Sequence, residues 1–155
     1  MSQLYFQSPL LNLQLQLEAG AIVEADFVAK VDDVSVPTGN LELRILQQLE
    51  HYCRTGRQDF NLPLKPVGTE FQQRVWQALR TIPAGEVRSY GELAQQLGSS
   101  ARAVGNACRH NPIPLLIPCH RVVAKSGLGG FAGQTEGAQL DLKQRLLSHE
   151  GVEIH

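Results

Sequence analysis

The sequence predicts an α+β fold, with a small N-terminal α/β domain (antiparallel strands plus a helix) and a mostly helical C-terminal domain that contains a helix-turn-helix. Two patterns predict it. Apolar and polar residues alternate at 11–17, as in a half-buried strand. In the second half, apolar residues recur at helical spacing behind two capping boxes, which begin helices. Pro63 and Pro66 indicate a linker, so we predict domains at 1–65 and 66–155.

The predicted N-terminal elements are two strands and one helix. The strand at 11–17 is followed by an Ala-Gly turn and by a second, antiparallel strand at 21–28. Apolar residues within 41–52 then share one face of a predicted helix. Asn40 is a possible N-cap of this helix, and Gly56 stands just beyond its end.

The C-terminal domain is predicted to contain short helices with recognisable ends. Capping boxes at 69–72 and 89–92 begin the first two, and the Pro-Ala-Gly segment at 83–85 ends the first. Gly98 ends the second helix, and a pair of serines can cap a third helix over 101–109. Two short helices joined by a tight turn with glycine are the outline of a helix-turn-helix.

The composition argues against several classes of protein. The chain has 155 residues, 43% of them hydrophobic, and a net charge of −1, which argues against disorder. No apolar run reaches the roughly 20 residues of a membrane span, and the N-terminus lacks the features of a signal peptide. The three cysteines form no C-x-x-C pair, so reduced thiols fit better than a disulfide framework or a zinc site. We therefore expect a soluble intracellular protein.

Positive charge is concentrated around the third predicted helix. The two predicted domains have charge balances of −3 and +2, and residues 101–125 include four basic residues and no acid. Arg102, Asn106 and Arg109 share one face of that helix. Such a face could attract a polyanion. By itself, the pattern fits a solvated polar face on a packing helix at least as well.

The segment Pro118–Val122, with the sequence Pro-Cys-His-Arg-Val, has the composition of a nucleophile site. A thiol is a strong nucleophile only as its thiolate, which basic neighbours favour, and Cys119 directly precedes His120 and Arg121. The alternative is a buried inert thiol, an interpretation that fits the other two cysteines better. In an extended strand adjacent side chains point to opposite sides, so a water could link the thiol to the imidazole.

Two further residues are candidates for the same site. Glu150 lies at the end of the last predicted helix, where the helix dipole disfavours an anion. It is either a solvated helix-end acid or an acid that orients a histidine. Tyr90, at the start of a helix, is either a core aromatic or a hydroxyl donor in a pocket, and its spacing leaves both open.

Several motifs together resemble one known family, the 6-O-alkylguanine-DNA alkyltransferases, also called methylated-DNA–protein-cysteine methyltransferases. The motifs follow one another in family order from about Pro66 to Gly151, whereas residues 1–65 resemble only loosely the family's variable N-terminal domain. The matching segments are Phe71-Gln-Gln-Arg-Val-Trp76, Ile82-Pro-Ala-Gly85, Ser89-Tyr-Gly-Glu-Leu-Ala94, Arg102-Ala-Val-Gly105, Asn111-Pro-Ile-Pro114, Pro118-Cys-His-Arg-Val122 and Leu147-Ser-His-Glu-Gly151.

The resemblance implies a DNA repair protein that transfers an alkyl group from 6-O-alkylguanine to its own cysteine, irreversibly and once per molecule. It implies that Cys119 is the acceptor, and that His120, through a water, is the base. Glu150 would orient the histidine, and Tyr90 would donate its hydroxyl to the purine. Asn111 would brace the cysteine loop against the helix-turn-helix through its side-chain amide.

The resemblance also implies how DNA is bound. The recognition helix would enter the minor groove of double-stranded DNA, and Arg102 would fill the space that a flipped-out nucleotide leaves. Asn106, Arg109 and Tyr90 are further predicted DNA contacts. The residues predicted to form the substrate pocket are Val122, Phe131 and Ala132.

Three function classes remain in competition at this point. The alkyltransferase is preferred. A non-catalytic binder of damaged DNA is the alternative, and related proteins of that kind have tryptophan where Cys119 stands. A thiol hydrolase with a Cys-His-Glu set is the third. The resemblance implies a cytoplasmic monomer with no cofactor and no membrane contact. Because His51 and Cys53 are the only N-terminal candidates for zinc ligands, we also expect no metal.

Overall fold

A computed structural model describes residues 2–31, 36–125 and 138–153 of the chain. The elements of the first half are β1 (Ser2–Gln7), β2 (Asn12–Glu18), β3 (Ala21–Phe27) and α1 (Asn40–Thr55). Those of the second half are α2 (Glu70–Leu79), β4 (Arg88–Ser89), α3 (Tyr90–Leu97), α4 (Ala101–Arg109), a 3₁₀ turn (Cys119–Arg121), β5 (Val122–Val123) and α5 (Ala138–His149). The predicted α+β fold class is confirmed.

The first half contains a three-stranded antiparallel sheet in the order β1-β2-β3. Leu13 and Leu15 of β2 are fully buried, and Gln14 between them lies on the other face, as the alternation predicts. Strand β1 was not predicted. Its Leu4 and Phe6 show the same alternation, and both are buried.

Helix α1 contributes Ile45, Leu49 and Tyr52 to the same core as the sheet. The prediction that Asn40 caps this helix is wrong, because Gly39 is the N-cap and no side chain caps it. The predicted end is confirmed. Gly56 has a φ of 71° and donates its backbone N–H to Tyr52 O, which is the left-handed C-cap that glycine accommodates without strain.

The segment interpreted as a linker pairs with β3. Ile22 donates to Pro63 O, and Lys65 donates to Ile22 O, both at 2.9 Å, which creates an isolated parallel bridge with Leu64. The backbone there is therefore fixed to the sheet at this point. The division into domains 1–65 and 66–155 stays a prediction.

Helices α2, α3 and α4 begin where the sequence predicts. Thr69 and Ser89 form reciprocal capping boxes, and Ser100 Oγ accepts from Ala103 N at 3.1 Å. Gly98, with a φ of 66°, ends α3. The predicted end of α2 is wrong, because the helix stops at Leu79, several residues before the Pro-Ala-Gly segment, and Arg80 is its C-cap.

Helix α2 packs against the helix-turn-helix that α3 and α4 form. Trp76 is almost fully buried, and its Nε1 donates to Ala107 O at 2.9 Å, so the indole joins α2 to the middle of α4. Strands β4 and β5 form a short parallel pair that was not predicted. This pair places the start of α3 beside the residues that follow Cys119. Within the described ranges, no helix is long and apolar enough to cross a membrane.

Candidate active site

The loop before the cysteine is held in one conformation by Asn111. Its Nδ2 donates to Ile117 O at 2.8 Å, and its Oδ1 accepts from Ile113 N at 2.9 Å. The apolar residues from 113 to 117 are buried, except for half-buried Pro114. Because the Asn111 amide joins both ends of this loop directly after α4, it fixes the position of the cysteine relative to α4.

Cys119 begins the 3₁₀ turn and is 7% exposed. The assumption that this segment is extended is therefore wrong, because Cys119 and His120 lie on a turn of helix. Burial raises the pKa of the thiol, whereas a hydrogen bond from Asn111 and the charge of Lys143 act in the opposite direction. Burial has the largest effect, so the thiol needs a base to become a nucleophile.

His120 and Glu150 form a fully buried pair. Burial alone would raise the pKa of Glu150, but the bonds and charges of His120 and Arg121 outweigh it and lower the pKa to about 2. An ionised carboxylate only accepts hydrogen bonds, so His120 Nε2 carries the proton that it donates to Glu150 Oε2 at 2.7 Å. Burial also lowers the pKa of His120, which keeps the imidazole neutral.

The second ring nitrogen of His120 has the properties of a base. With the proton on Nε2, Nδ1 presents a lone pair. This nitrogen is buried and has no hydrogen-bond partner among the described residues. A neutral imidazole with a fixed tautomer and a free lone pair, one residue from a thiol, can accept a proton from it.

Arg121 binds Glu150 and Ile82, whereas the sequence suggested a position beside the thiol. Its Nε donates to Glu150 Oε1 at 2.8 Å, its second terminal nitrogen to Oε2 at 3.2 Å, and its first to Ile82 O at 2.7 Å. The guanidinium therefore compensates the charge of the carboxylate at the end of α5. This is how an acid is tolerated where the helix dipole disfavours one.

Lys143 is a residue of the site that sequence reasoning missed. It is fully buried, donates to Val122 O at 2.7 Å, and lies 5.9 Å from the centroid of the Tyr90 ring. Burial lowers its pKa to about 8, although the two nearby thiols, Cys119 and Cys108, favour the charged form. One signal could have identified it, because Lys143 lies on the same helix face as the buried leucines 146 and 147.

The β4–β5 pair brings Val122, which lies in β5, close to Tyr90, which directly follows β4. Val122 is buried and pairs with Arg88, which directly precedes Ser89, the N-cap of α3. Tyr90 is half-buried, and burial raises the pKa of its hydroxyl, which therefore stays protonated as a donor. Its ring lies against the backbone of α4 at Gly105.

A cleft of about 280 Å³ opens onto the cysteine between β3 and the end of α4. Cys119, Cys108, Asn111 and Arg109 line it on one side, with acidic residues of β3 on the other. Burial raises the pKa of Cys108 to about 12, so this second thiol stays protonated. Although both cysteines reach the cleft, only the thiol of Cys119 adjoins an imidazole in sequence.

Three of the four predicted DNA-binding residues lie outside this buried cluster, and the fourth, Tyr90, belongs to it. Arg102, Asn106 and Arg109 are exposed on α4, and the opposite face of the helix buries Val104 and Ala107. Arg109 also lines the cleft, which brings the exposed face and the thiol to the same side of the molecule. Predicted pocket residues Phe131 and Ala132 lie outside the described residues.

The structure thus brings together most of the predicted site. The residues within the connected cluster are Cys119, His120, Glu150, Asn111, Tyr90 and Val122. Two residues that were not predicted belong to it as well: Lys143, and Tyr52, whose hydroxyl donates to Glu150 Oε2. In the described part of the chain, no group of three or more His, Cys, Asp or Glu side chains could hold a metal ion.

Comparison with known proteins gives a consistent result. The family described as "6-O-methylguanine DNA methyltransferase, DNA binding domain" matches residues 70–152. Methylated-DNA–protein-cysteine methyltransferases of Mycolicibacterium paratuberculosis and Bacillus subtilis are 50% and 47% identical over 68% of this chain. These matches span 62% and 64% of the two relatives, which is less than two thirds of their length. The same-named protein of Methanosarcina acetivorans is 38% identical over 94% of this chain and 96% of its own.

Solved structures resemble the whole fold. The O6-methylguanine methyltransferase of Mycobacterium tuberculosis superposes with a TM-score of 0.79 at 35% identity, over 96% of this chain and 91% of its own. An OGT from the same organism in complex with DNA superposes with a TM-score of 0.80 at 37% identity, over 96% and 92% of the two chains. The likeness therefore includes the N-terminal half, where the sequence resemblance was loose.

Proposed function

The chain belongs to the 6-O-methylguanine-DNA methyltransferase family, and from this premise we propose that it repairs DNA by moving an alkyl group from the 6-oxygen of guanine to Cys119. The observation that carries the proposal is the buried His120–Glu150 pair beside the cysteine. A fixed tautomer and a lone pair on Nδ1 are what a thiol with a raised pKa requires.

The proposed reaction is one displacement at carbon. The Cys119 thiol gives its proton to His120 Nδ1 through a water, and the thiolate attacks the alkyl carbon. A sulfur–carbon bond forms as the carbon–oxygen bond breaks, and the electron pair leaves with the purine. The Tyr90 hydroxyl donates to the departing base, where its high pKa suits a neutral donor. The product is a thioether, so each molecule reacts once.

DNA is proposed to bind along the exposed face of α4. Small side chains on α4 would permit its close approach to the minor groove. Arg102 would occupy the space that the flipped nucleotide leaves. Arg102, Asn106 and Arg109 are exposed and able to meet phosphates or bases. We propose that the protein acts as a monomer in the cytoplasm, where thiols stay reduced.

The mass of the intact protein after incubation with methylated duplex DNA tests the function. We expect one added alkyl group per molecule, located on the Cys119 peptide and lost in Cys119→Ser. DNA binding without a mass change would support the damaged-DNA binder, and repeated turnover with excess substrate would support the hydrolase. Alkyl on Cys108, with Cys119 unmodified, would contradict the assignment of the acceptor.

A further inference from the structure

Tyr52 reaches the active site from the other half of the chain. It lies on α1, 98 residues before Glu150, and its hydroxyl donates to Glu150 Oε2 at 2.6 Å. The side chain is fully buried. The same oxygen accepts the His120 Nε2 proton at 2.7 Å, so Tyr52 and His120 bind one atom of the carboxylate.

The position of the Tyr52 ring is fixed on several sides. His149 packs against it edge-on at 5.4 Å between centroids, and Phe60 lies at 5.6 Å. His149 Nε2 also lies 2.8 Å from Tyr52 O, and Gly56 approaches His149 O so closely that a Cβ there would be 2.2 Å away. The end of α1 therefore packs closely against His149, the residue directly before Glu150.

The bonds to Glu150 are unequal in length. Arg121 Nε binds Oε1 at 2.8 Å, but its second donor reaches Oε2 only at 3.2 Å. A guanidinium fork prefers two short parallel bonds to a carboxylate. Here Oε2 has two closer donors, which compete with the fork for its lone pairs.

We infer that Tyr52 is a positioning residue for alkyl transfer: its hydroxyl holds Glu150 Oε2 against His120 and keeps the carboxylate from closing onto Arg121. This inference rests on the proposed function. It assigns the N-terminal half a part in the reaction besides support of the fold. Without the hydroxyl, Oε2 moves toward the guanidinium, the bond to His120 lengthens, and Nδ1 becomes a weaker base.

The charged and titratable groups around Tyr52 and the His120–Glu150 pair come from three elements. They are Cys53 on α1, Arg121 on the 3₁₀ turn, and Lys143 and His149 on α5. Burial raises the pKa of Tyr52, and the anion of Glu150 raises it further, so the phenol stays protonated as a donor at neutral pH. Tyr52→Phe therefore removes a hydrogen bond and no charge.

The test compares Tyr52→Phe with the control Tyr5→Phe, whose hydroxyl binds Gln3 on β1, away from the site. We expect the single-turnover rate of Tyr52→Phe to fall about 3- to 10-fold, a fraction of the value of a hydrogen bond to a charged group. Affinity for methylated duplex DNA should stay unchanged. The apparent pKa of Cys119, followed by pH-dependent alkylation of its peptide with iodoacetamide, should rise.

Two readouts separate positioning from a general loss of structure. Nitrogen-15 spectra of His120 should show a single Nε2–H tautomer in the wild type and a mixture in Tyr52→Phe. On a Glu150→Gln background, Tyr52→Phe should cost less than it does alone, because it acts through the carboxylate. The thermal transition of each variant shows that it is folded.

The results that would overturn the inference differ from those against the proposed function. A wild-type protein that transfers no alkyl group would reject the function. A wild type that transfers, together with a Tyr52→Phe variant of equal or higher rate and unchanged His120 tautomer, would reject the positioning role alone.

Discussion

At the scale of single residues, the site depends on a cation that is hidden from solvent. Lys143 is fully buried, and its ammonium group satisfies one of its donors on Val122 O. Burying a charge costs free energy unless partners compensate. The partners here include the carbonyl, the Tyr90 ring and the two thiols, so the lysine is stabilised most when Cys119 is a thiolate.

Lys143→Met should therefore weaken the nucleophile. Because the lysine charge lowers the pKa of Cys119, its removal should raise that pKa and slow transfer at neutral pH by on the order of tenfold. The measurement is the pH dependence of iodoacetamide alkylation at the Cys119 peptide. Arg145→Met, which removes an exposed cation from the same helix, is the control and should change neither quantity. Equal thiol pKa values in the two variants would show that Lys143 serves only the fold.

At the scale of elements, α4 keeps the residues that we propose to contact DNA apart from the residues that carry the chemistry. Its exposed face carries Arg102, whereas its buried face packs on α2 and leads into the Asn111 loop. Arg102 can therefore be changed without altering the thiol or its base.

Arg102→Ala should reduce repair of duplex DNA more than reaction with free 6-O-methylguanine. The free base needs no flipping, so it does not need a side chain that fills the vacated stack, a contact worth a few kcal/mol at most. The two single-turnover rates are compared directly, with Arg80→Ala at the end of α2 as an exposed control. If both substrates lose the same factor, Arg102 acts on the pocket or the fold instead.

The end of α1 is another element on which the site depends. Gly56 and Gly98 are both left-handed C-caps, but a Cβ at Gly56 would lie 2.2 Å from His149 O, and one at Gly98 would meet nothing within 4 Å. Gly98→Ala should cost about 1 kcal/mol of unfolding free energy from backbone strain alone. Gly56→Ala should cost about 2–4 kcal/mol, because the clash adds to the strain. Urea unfolding measures both free energies. Equal losses in the two variants would mean that the contact between α1 and α5 relaxes without a cost in free energy.

At the scale of the whole molecule, the buried pair makes stability depend on pH. The pKa of His120 is lowered from 6.5 and that of Glu150 from 4.5 to about 2, so in both cases the unfolded chain binds protons first on acidification. Each contribution is therefore present above the unfolded pKa and is lost as pH falls.

The free energy of unfolding should thus decrease from pH 7 toward 5 as unfolded histidine takes up a proton. It should decrease again between about 4.5 and 2, by on the order of 3 kcal/mol for Glu150. Urea titrations at several pH values measure this. The Glu150→Gln variant, whose amide does not titrate, should lack the second decrease. Parallel profiles for the wild type and this variant would mean that other carboxylates cause the acid loss.

Local features of the sequence determined where the elements lie. The capping boxes at Thr69 and Ser89 and the stop at Gly98 depend on atoms a few residues apart, and the structure has them as predicted. The alternation in β2 is equally local. The same pattern in β1 was available and overlooked. Short sequence motifs also sufficed to indicate the family, because the residues that carry the chemistry lie within them.

The tertiary structure alone decided which charges act on the thiol. Arg121 follows Cys119 in sequence but turns to Glu150, whereas Lys143, 24 residues later, supplies the charge that acts on the thiol. Tyr52 and Glu150 meet across 98 residues, and β4 pairs with β5 across more than 30. These contacts depend on how buried surfaces pack together, and packing is set by the whole chain. The residues next to Cys119 in the sequence therefore do not determine which charges surround its thiol.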